Sequence, residues 1–329
     1  MKEITFSFLG GAGEVGKSCY VLEYEGQKLM LDCGVKLTEP PSYPKIPGST
    51  DTLILSHAHL DHSGMVPLVY KRNQTPLYGT DITFELSRIL QHDSLKVESI
   101  RGFPSRYADS DVDKAVKGEV YLEYGKTKRI NDKMDLTFYD AGHIPGSAGT
   151  LLTVGETKVL YTGDTNNKET LLARAGNYPK ADVMMIESTY GNRDHPDRGE
   201  TTDEFIGAIE STLDGGGIVL LPAFGVGRSQ ELLMMLDGMK YPVYLDGMAK
   251  TVTRLLLEYP EYLRDPDALQ KAANNATWIE DPRDRRSILG EPCIIITTAV
   301  IITGGPVIDY IKKLHNAVKS SILLTCYQV

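Results

Sequence analysis

His57-Ala58-His59-Leu60-Asp61-His62 sets three imidazoles and a carboxylate within six residues, directly after the apolar stretch Thr52-Leu53-Ile54-Leu55. The whole chain has only seven histidines, so three in one turn of sequence is a concentration that chance rarely produces. Neutral imidazole and carboxylate are the ligands that zinc and similar first-row metals take. The pairs His57/His59 and Asp61/His62 suit two neighbouring ions better than a single tetrahedral one. The apolar stretch reads as a strand that delivers the cluster at its end, which points to a two-metal hydrolase.

Upstream, Ile4–Phe8, Cys19–Tyr24 and Lys28–Asp32 read as short strands, the last two joined by a turn at Glu25-Gly26-Gln27. Downstream, helical patterns cover about Gly64–Lys71 and Asp81–Ser99. Strands return at Leu136–Asp140, Gly149–Val154, Lys158–Thr162 and Val183–Glu187. From about residue 200 the rhythm changes. Helices at Thr202–Leu213, Gly227–Met239, from Met248, Asp265–Ala273 and Val307–His315 alternate with strands at Ile218–Leu221, Val243–Leu245, Ile294–Thr297 and Ser321–Cys326. That alternation predicts a mostly parallel sheet flanked by helices. The polar stretch Arg193–Gly199 marks the boundary, giving domains 1–195 and 196–329.

Six consecutive residues cannot close two coordination spheres, so further ligands must come from other strand ends. His143, in the glycine-containing loop Ala141-Gly142-His143-Ile144-Pro145-Gly146-Ser147, is one candidate. Asp164, in Tyr161-Thr162-Gly163-Asp164-Thr165, is the other. Taken in order, HAHLDH, AGHIPGS and YTGDT, with Asp32 of LDCG at an early strand end, resemble the metallo-β-lactamase superfamily. Glu187–Gly191 (ESTYG), Pro222–Leu233 (PAFGVGRSQELL) and Thr303–Pro306 (TGGP) resemble its β-CASP branch of nucleic-acid-processing members.

The resemblance implies an α/β fold: an αββα sandwich followed by a β-CASP domain. It implies that His57, His59 and His143 hold one zinc, Asp61 and His62 a second, and that Asp164 bridges them, with manganese able to take zinc's place. It makes Asp61 and Glu187 catalytic, Asp61 orienting the attacking water and Glu187 supporting protonation of the leaving oxygen. The substrate it implies is single-stranded RNA, cut as an endonuclease, a 5′→3′ exonuclease or both. The rival readings are a catalytically weak RNA-binding or assembly subunit, a DNA nuclease and a small-ester hydrolase; the second domain argues against the last.

Two loops read as phosphate-binding from their residues. Gly225, Gly227, Arg228 and Ser229 lie between a strand and a helix, where glycines admit a close ligand, helix-start N–H groups attract anions and arginine can fork onto a phosphate. Thr298 with Gly304 and Gly305 makes a second such turn, although the branch usually has glycine or serine where Ala299 and Val300 stand. His195 is either a substrate contact or a solvated loop residue. His92 and His315 read as structural or exposed, and the run Arg283, Arg285, Arg286 as a solvated surface.

Gly11-Ala12-Gly13-Glu14-Val15-Gly16 satisfies GxGxxG after a strand, but a dinucleotide fold needs a helix next, and Lys17–Tyr24 reads as a strand. At the other end, the branch ordinarily returns to its first domain with two more histidines, which have no counterpart before Val329. The expectation is therefore a piece of a longer enzyme. Formal net charge is −9, which weighs against non-specific nucleic-acid binding but not against a polyanion held locally on metal ions. No apolar run reaches the roughly 20 residues of a membrane helix. Four scattered cysteines (Cys19, Cys33, Cys293, Cys326) indicate a reducing cytoplasm. A homodimer stays open at this stage.

Overall fold

The computed structural model describes residues 3–298 and 304–325. They form two compact units, one running to Glu169 and resuming at Arg174–Thr189, the other made of Thr170–Ala173 and the chain from Tyr190 onward.

The first unit holds two sheets. Strands β1 (Ile4–Gly10), β2 (Cys19–Tyr24), β3 (Gln27–Leu31), β4 (Thr52–Ile54), β5 (Leu77–Gly79) and β6 (Glu119–Tyr121) lie side by side in chain order. The first three are antiparallel neighbours, whereas β3 through β6 run parallel. Strands β7 (Thr127–Asn131), β8 (Met134–Asp140), β9 (Ala148–Val154), β10 (Thr157–Tyr161) and β11 (Val183–Met185) form the second sheet in the order β11-β10-β9-β8-β7. Alternation along the strands sends successive side chains to opposite faces. Leu29, Leu31 and Ile54 enter the core between the sheets with Leu136, Phe138 and Leu152. Met30, Leu53 and Leu55 face the other way. There they meet α2 (Val66–Asn73), α3 (Asp81–Arg101) and α4 (Asp109–Ala115), which follow the single turn α1 (Leu60–Ser63). Each such fully buried side chain contributes about 1.5–3 kcal/mol.

The second unit runs α5 (Arg198–Asp214), β12 (Val219–Pro222), α6 (Arg228–Met235), β13 (Val243–Asp246), α7 (Met248–Leu257), α8 (Pro266–Asn275), β14 (Thr277–Trp278), β15 (Ile294–Thr297), α9 (Pro306–Leu314) and β16 (Ser321–Ile322). Its sheet order is β14-β13-β15-β12-β16, every pairing parallel. The central strands Val219–Pro222 and Ile294–Thr297 are buried throughout, as strands covered on both faces must be. Segment Thr170–Ala173 is tied into this unit. The buried Glu231 carboxylate accepts the N–H groups of Leu171 at 3.0 Å and Leu172 at 2.9 Å, and Arg264 N–H donates to the Leu172 carbonyl at 2.9 Å.

Three readings change. β5, β6, β7, β14 and α4 carry no sequence signal because they are short or, like the exposed Thr-Lys-Arg of β7, hydrophilic. Strand Ser321–Cys326 shrinks to Ser321–Ile322, with Cys326 outside the described residues. Strand Val183–Glu187 stops at Met185, leaving Glu187 on the segment beyond it. GxGxxG forms bends between two antiparallel strands, so no nucleotide-binding helix follows it. Among the described residues no helix is long and apolar enough to cross a membrane.

The segment after β3 lies tightly against α1: Cys33 N–H donates to the His62 carbonyl at 2.8 Å and Val35 N–H to that of Leu60 at 2.9 Å. A Cβ on Gly34 would stand 1.7 Å from the Asp61 carbonyl oxygen. Gly34→Ala is therefore expected to cost about 3 kcal/mol or more and to displace Asp61. A thermal melt of the variant that matches the wild type would contradict this packing.

Candidate metal centre

All the donors leave carboxyl ends of strands in the first unit: Asp32 after β3, the histidine cluster after β4, His143 after β8 and Asp164 after β10. Each turn has a local cause. Asp32 adopts φ +58°, a left-handed conformation that aspartate tolerates better than most residues, and this aims its carboxylate inward. Gly142 takes φ +72° where a Cβ would meet the Asn166 carbonyl oxygen and the Gly176 nitrogen, both at 2.4 Å. The Ser147 hydroxyl accepts the His143 N–H at 3.2 Å and fixes that loop.

The donors converge in two groups. His57, His59 and His143 place ligand atoms within 4.8 Å of one another, and so do His57, His62 and Asp164. Asp164 Oδ1 lies 3.2 Å from His62 Nε2, and Oδ2 lies 3.7 Å from His143 Nε2 and 4.0 Å from His57 Nε2. Asp61 lies beside the second group, with Oδ2 3.8 Å from His62 Nε2. All six expected ligands thus meet in one place, with His57 common to both groups.

Behind them stands a hub that sequence reading left without a role. The fully buried Asp32 carboxylate accepts the Ser56 N–H at 2.7 Å and the hydroxyls of Ser56 at 2.7 Å and Tyr161 at 2.5 Å. It also accepts His62 Nδ1–H at 2.7 Å. Because the Ser56 hydroxyl spends its proton on Asp32, it accepts from His57 Nδ1–H at 3.1 Å. Both imidazoles are thereby held with Nε2 turned to the donor cluster, the orientation that outer carboxylates impose on ligating histidines. Nothing in the residue pattern marks Ser56 or Tyr161; the only signal was the place of Asp32 at a strand end.

The electrostatics fit a cation. Burial holds the His57 imidazole well below its ordinary range, with His62 pushing the same way, so His57 is neutral and ligand-ready. Among the described residues the buried His57 Nε2 has no hydrogen-bond partner, an arrangement that costs free energy unless a cation takes its lone pair. Burial opposes charge on His62, but Asp164, Asp61 and Asp32 outweigh it and hold that imidazole well above its ordinary range. Burial likewise opposes charge on Asp164, and His62 outweighs it, leaving the carboxyl well below its ordinary range. The residues present fit a metal.

The other expected sites fare unevenly. Glu187 is half-buried, and its Oε2 accepts the Thr189 N–H at 2.9 Å. At the start of α6 the expectation of free donors is corrected for three residues, the Arg228 N–H donating to the Val226 carbonyl at 3.2 Å. Gly227 N–H donates to the Gln230 side chain at 2.8 Å, and the buried Ser229 hydroxyl donates to the Phe224 carbonyl at 2.6 Å. Gly225 and Arg228 stay half-buried, and the Arg228 side chain makes no hydrogen bond or ion pair among the described residues. The Thr298 hydroxyl accepts the Met248 N–H at 3.2 Å. Gly304 is half-buried and Gly305 exposed, whereas Ala299, Val300 and Thr303 lie outside the described residues. His195 is exposed and packs its ring against Tyr190 at 4.5 Å. Arg285 is no solvated cation: it pairs with the buried Asp246 at 2.7 Å and with Asp309 at 2.7 Å.

Histidines and carboxylates gathered at the strand ends of a two-sheet sandwich define a metallo-β-lactamase-type protein. The chain belongs to the metallo-β-lactamase superfamily: residues 21–187 match its domain model, and residues 229–329 match the Beta-Casp domain. It is 38% identical to the probable RNase MJ4 of Methanocaldococcus jannaschii, over 98% of this chain and 78% of that one. It is 35% identical to RNase aCSPSF2 of Saccharolobus solfataricus, over 97% of this chain and 66% of that one. Against the transcription termination factor FttA of M. jannaschii it is 34% identical, spanning 99% of this chain but 56% of the relative. A solved structure of a protein of unknown function from Enterococcus faecalis shares the fold with a TM-score of 0.62 at 15% identity, over 99% of this chain and 88% of that one.

Two outcomes follow for metal binding. Asp32→Asn should weaken it about 10–100-fold by releasing the His62 ring; calorimetric affinity equal to wild type would remove the hub from the site. His62 must give up its second proton to act as a ligand, so affinity should fall on acidification, starting above the ordinary imidazole value of about 6.5. Titrations in buffers of different ionisation enthalpy should register proton release, and none would mean that His62 is not a ligand.

Proposed function

We propose that this chain is a two-zinc phosphodiester hydrolase of single-stranded RNA, working in the cytoplasm as an endonuclease, a 5′→3′ exonuclease or both, with manganese able to replace zinc. The observation that carries this reading is the pair of donor groups hinged on His57, too many ligands for one tetrahedral ion and too close together for two unrelated sites. The RNase names of two relatives favour RNA as the substrate class.

In this reading His57, His59 and His143 hold one ion, Asp61 and His62 the other, and Asp164 is shared. When bound, the ions supply a hydroxide near neutral pH and neutralise charge on the scissile phosphate. Asp61, a third exposed beside His62, accepts a hydrogen bond from the attacking water and so sets its direction. Asp32 acts through others, keeping His62 and, by way of Ser56, His57 in one tautomer. Glu187 serves the leaving-oxygen side, its carboxylate steadied by the Thr189 amide. In the second unit Arg228 offers its guanidinium to a backbone phosphate, with Gly225 on the same loop; Thr298, Gly304 and Gly305 serve the second phosphate turn.

The test is cleavage of end-labelled single-stranded RNA with zinc or manganese present. Asp61→Ala should abolish cleavage while leaving the thermal melt unchanged, and persistent cleavage by purified variant would refute the mechanism. Arg228→Ala should raise the dissociation constant for RNA more than it lowers the chemical rate. An unchanged constant would remove Arg228 from the substrate path.

A further inference from the structure

β1 runs parallel to β3, because each is antiparallel to β2, so its carboxyl end lies at the end of the sheet that delivers Asp32. In register, Phe8 faces Tyr20 and Tyr20 faces Leu31, one row across the sheet and one residue short of Asp32. The Phe8 ring meets the Tyr20 ring edge-on at 5.6 Å, and Tyr20 meets Tyr161 edge-on at 5.6 Å. Tyr161 ends on Asp32, to which its hydroxyl donates. The Tyr20 and Ser18 hydroxyls also gather beside Gly11, and the Ser18 hydroxyl lies 3.4 Å from His62 Nε2. A Cβ on Gly11 would stand 2.6 Å from the Tyr20 hydroxyl and 3.2 Å from that of Ser18, so this junction needs the glycine.

The ladder's inner rungs are spoken for. Ile4 and Phe6, on the same face of β1, pack against the core between the sheets. Phe8, two residues further on, projects past the edge of that core and is 57% exposed. A singly exposed aromatic needs no explanation by itself. Here the ring is backed by Tyr20 and, behind it, by Tyr161, whose hydroxyl donates to Asp32. The loop that follows it is held in place: Glu14 pairs with Lys17 at 3.1 Å and with Lys36 at 3.0 Å, and Ser18 N–H donates to the Asp61 carbonyl at 2.8 Å. A flat apolar face, rigidly mounted beside a cation-binding centre, matches a ligand with an anionic backbone and flat, apolar-faced side groups.

We propose that Phe8 is a stacking surface for a nucleobase of the strand whose phosphate occupies the metal centre. This rests on the RNA reading above and adds a positioning residue to it. Stacking on a phenyl ring uses the π-face that all bases share, so Phe8 selects single-stranded over paired substrate without reading sequence.

The test measures binding and steady-state cleavage of short labelled single-stranded RNAs by the wild-type chain, Phe8→Ala and Phe8→Trp, with zinc or manganese present. One set of RNAs carries a single abasic position moved along the strand. Phe8→Ala should raise Kd and KM about tenfold, the scale of one lost base stack, with kcat unchanged and zinc stoichiometry intact. Phe8→Trp should restore binding, and one abasic position should make wild type and Phe8→Ala equal. Equal Kd for the two on every intact RNA, with normal cleavage, overturns the role of Phe8 and leaves the nuclease reading standing. A wild-type chain that neither binds nor cuts RNA overturns both. A change of oligomeric state in Phe8→Ala at constant RNA affinity assigns the ring to a protein contact and likewise overturns the proposal.

Discussion

The buried carboxylate of Asp32 is the constraint on which the site depends. It carries a charge away from water, where an ionised group is costly unless its lone pairs are satisfied. Here four donors satisfy it, contributed by the end of β4, by the histidine cluster and by β10 of the opposite sheet. One side chain therefore clamps the two sheets together at their carboxyl ends and, directly or through Ser56, fixes the orientation of the His62 and His57 rings. The cost is a left-handed backbone at a residue other than glycine, a strain of order 1–3 kcal/mol that proteins keep where function demands it.

The convergence of the candidate donors was foreshadowed in the sequence, because ligand chemistry is local: it needs particular side chains just past strand ends, and HAHLDH, AGHIPGS and YTGDT place them there. The parallel sheet of the second unit was equally legible, since Val-Leu-Leu and Ile-Ile-Ile runs at regular spacing have few other uses. What escaped were relations between distant residues. Ser56 and Tyr161 are an ordinary serine and tyrosine until the fold brings them to Asp32, 129 positions apart in the case of Tyr161. The glycine-rich turn before α6 misled for a related reason. Its sequence advertises open N–H groups, and only the fold shows Gln230 folding back to occupy one of them.

The second unit repeats the principle of a buried acid satisfied from several sides. Asp246, at the carboxyl end of β13, takes the Arg285 guanidinium, the Tyr310 hydroxyl at 2.9 Å and the Gly247 N–H at 2.6 Å. Such a pair adds little net stability, since desolvation offsets most of the attraction, but removing one partner would strand a charge at a cost of about 3–5 kcal/mol. Its effect is to fix one arrangement of the 3-10 segment Pro282–Gly290 and α9 around the sheet end.

The four residues Thr170–Ala173 belong to one unit, although the chain on either side of them belongs to the other. The polypeptide consequently passes between the units three times. A gene cut at any single point cannot yield both halves whole. A piece ending before Tyr190 would carry Leu172, made to be buried, as an orphaned apolar strap, and the complementary piece would leave the Glu231 carboxylate without the two amides it was folded to receive. Exchange of one half between relatives therefore has to carry this strap with it.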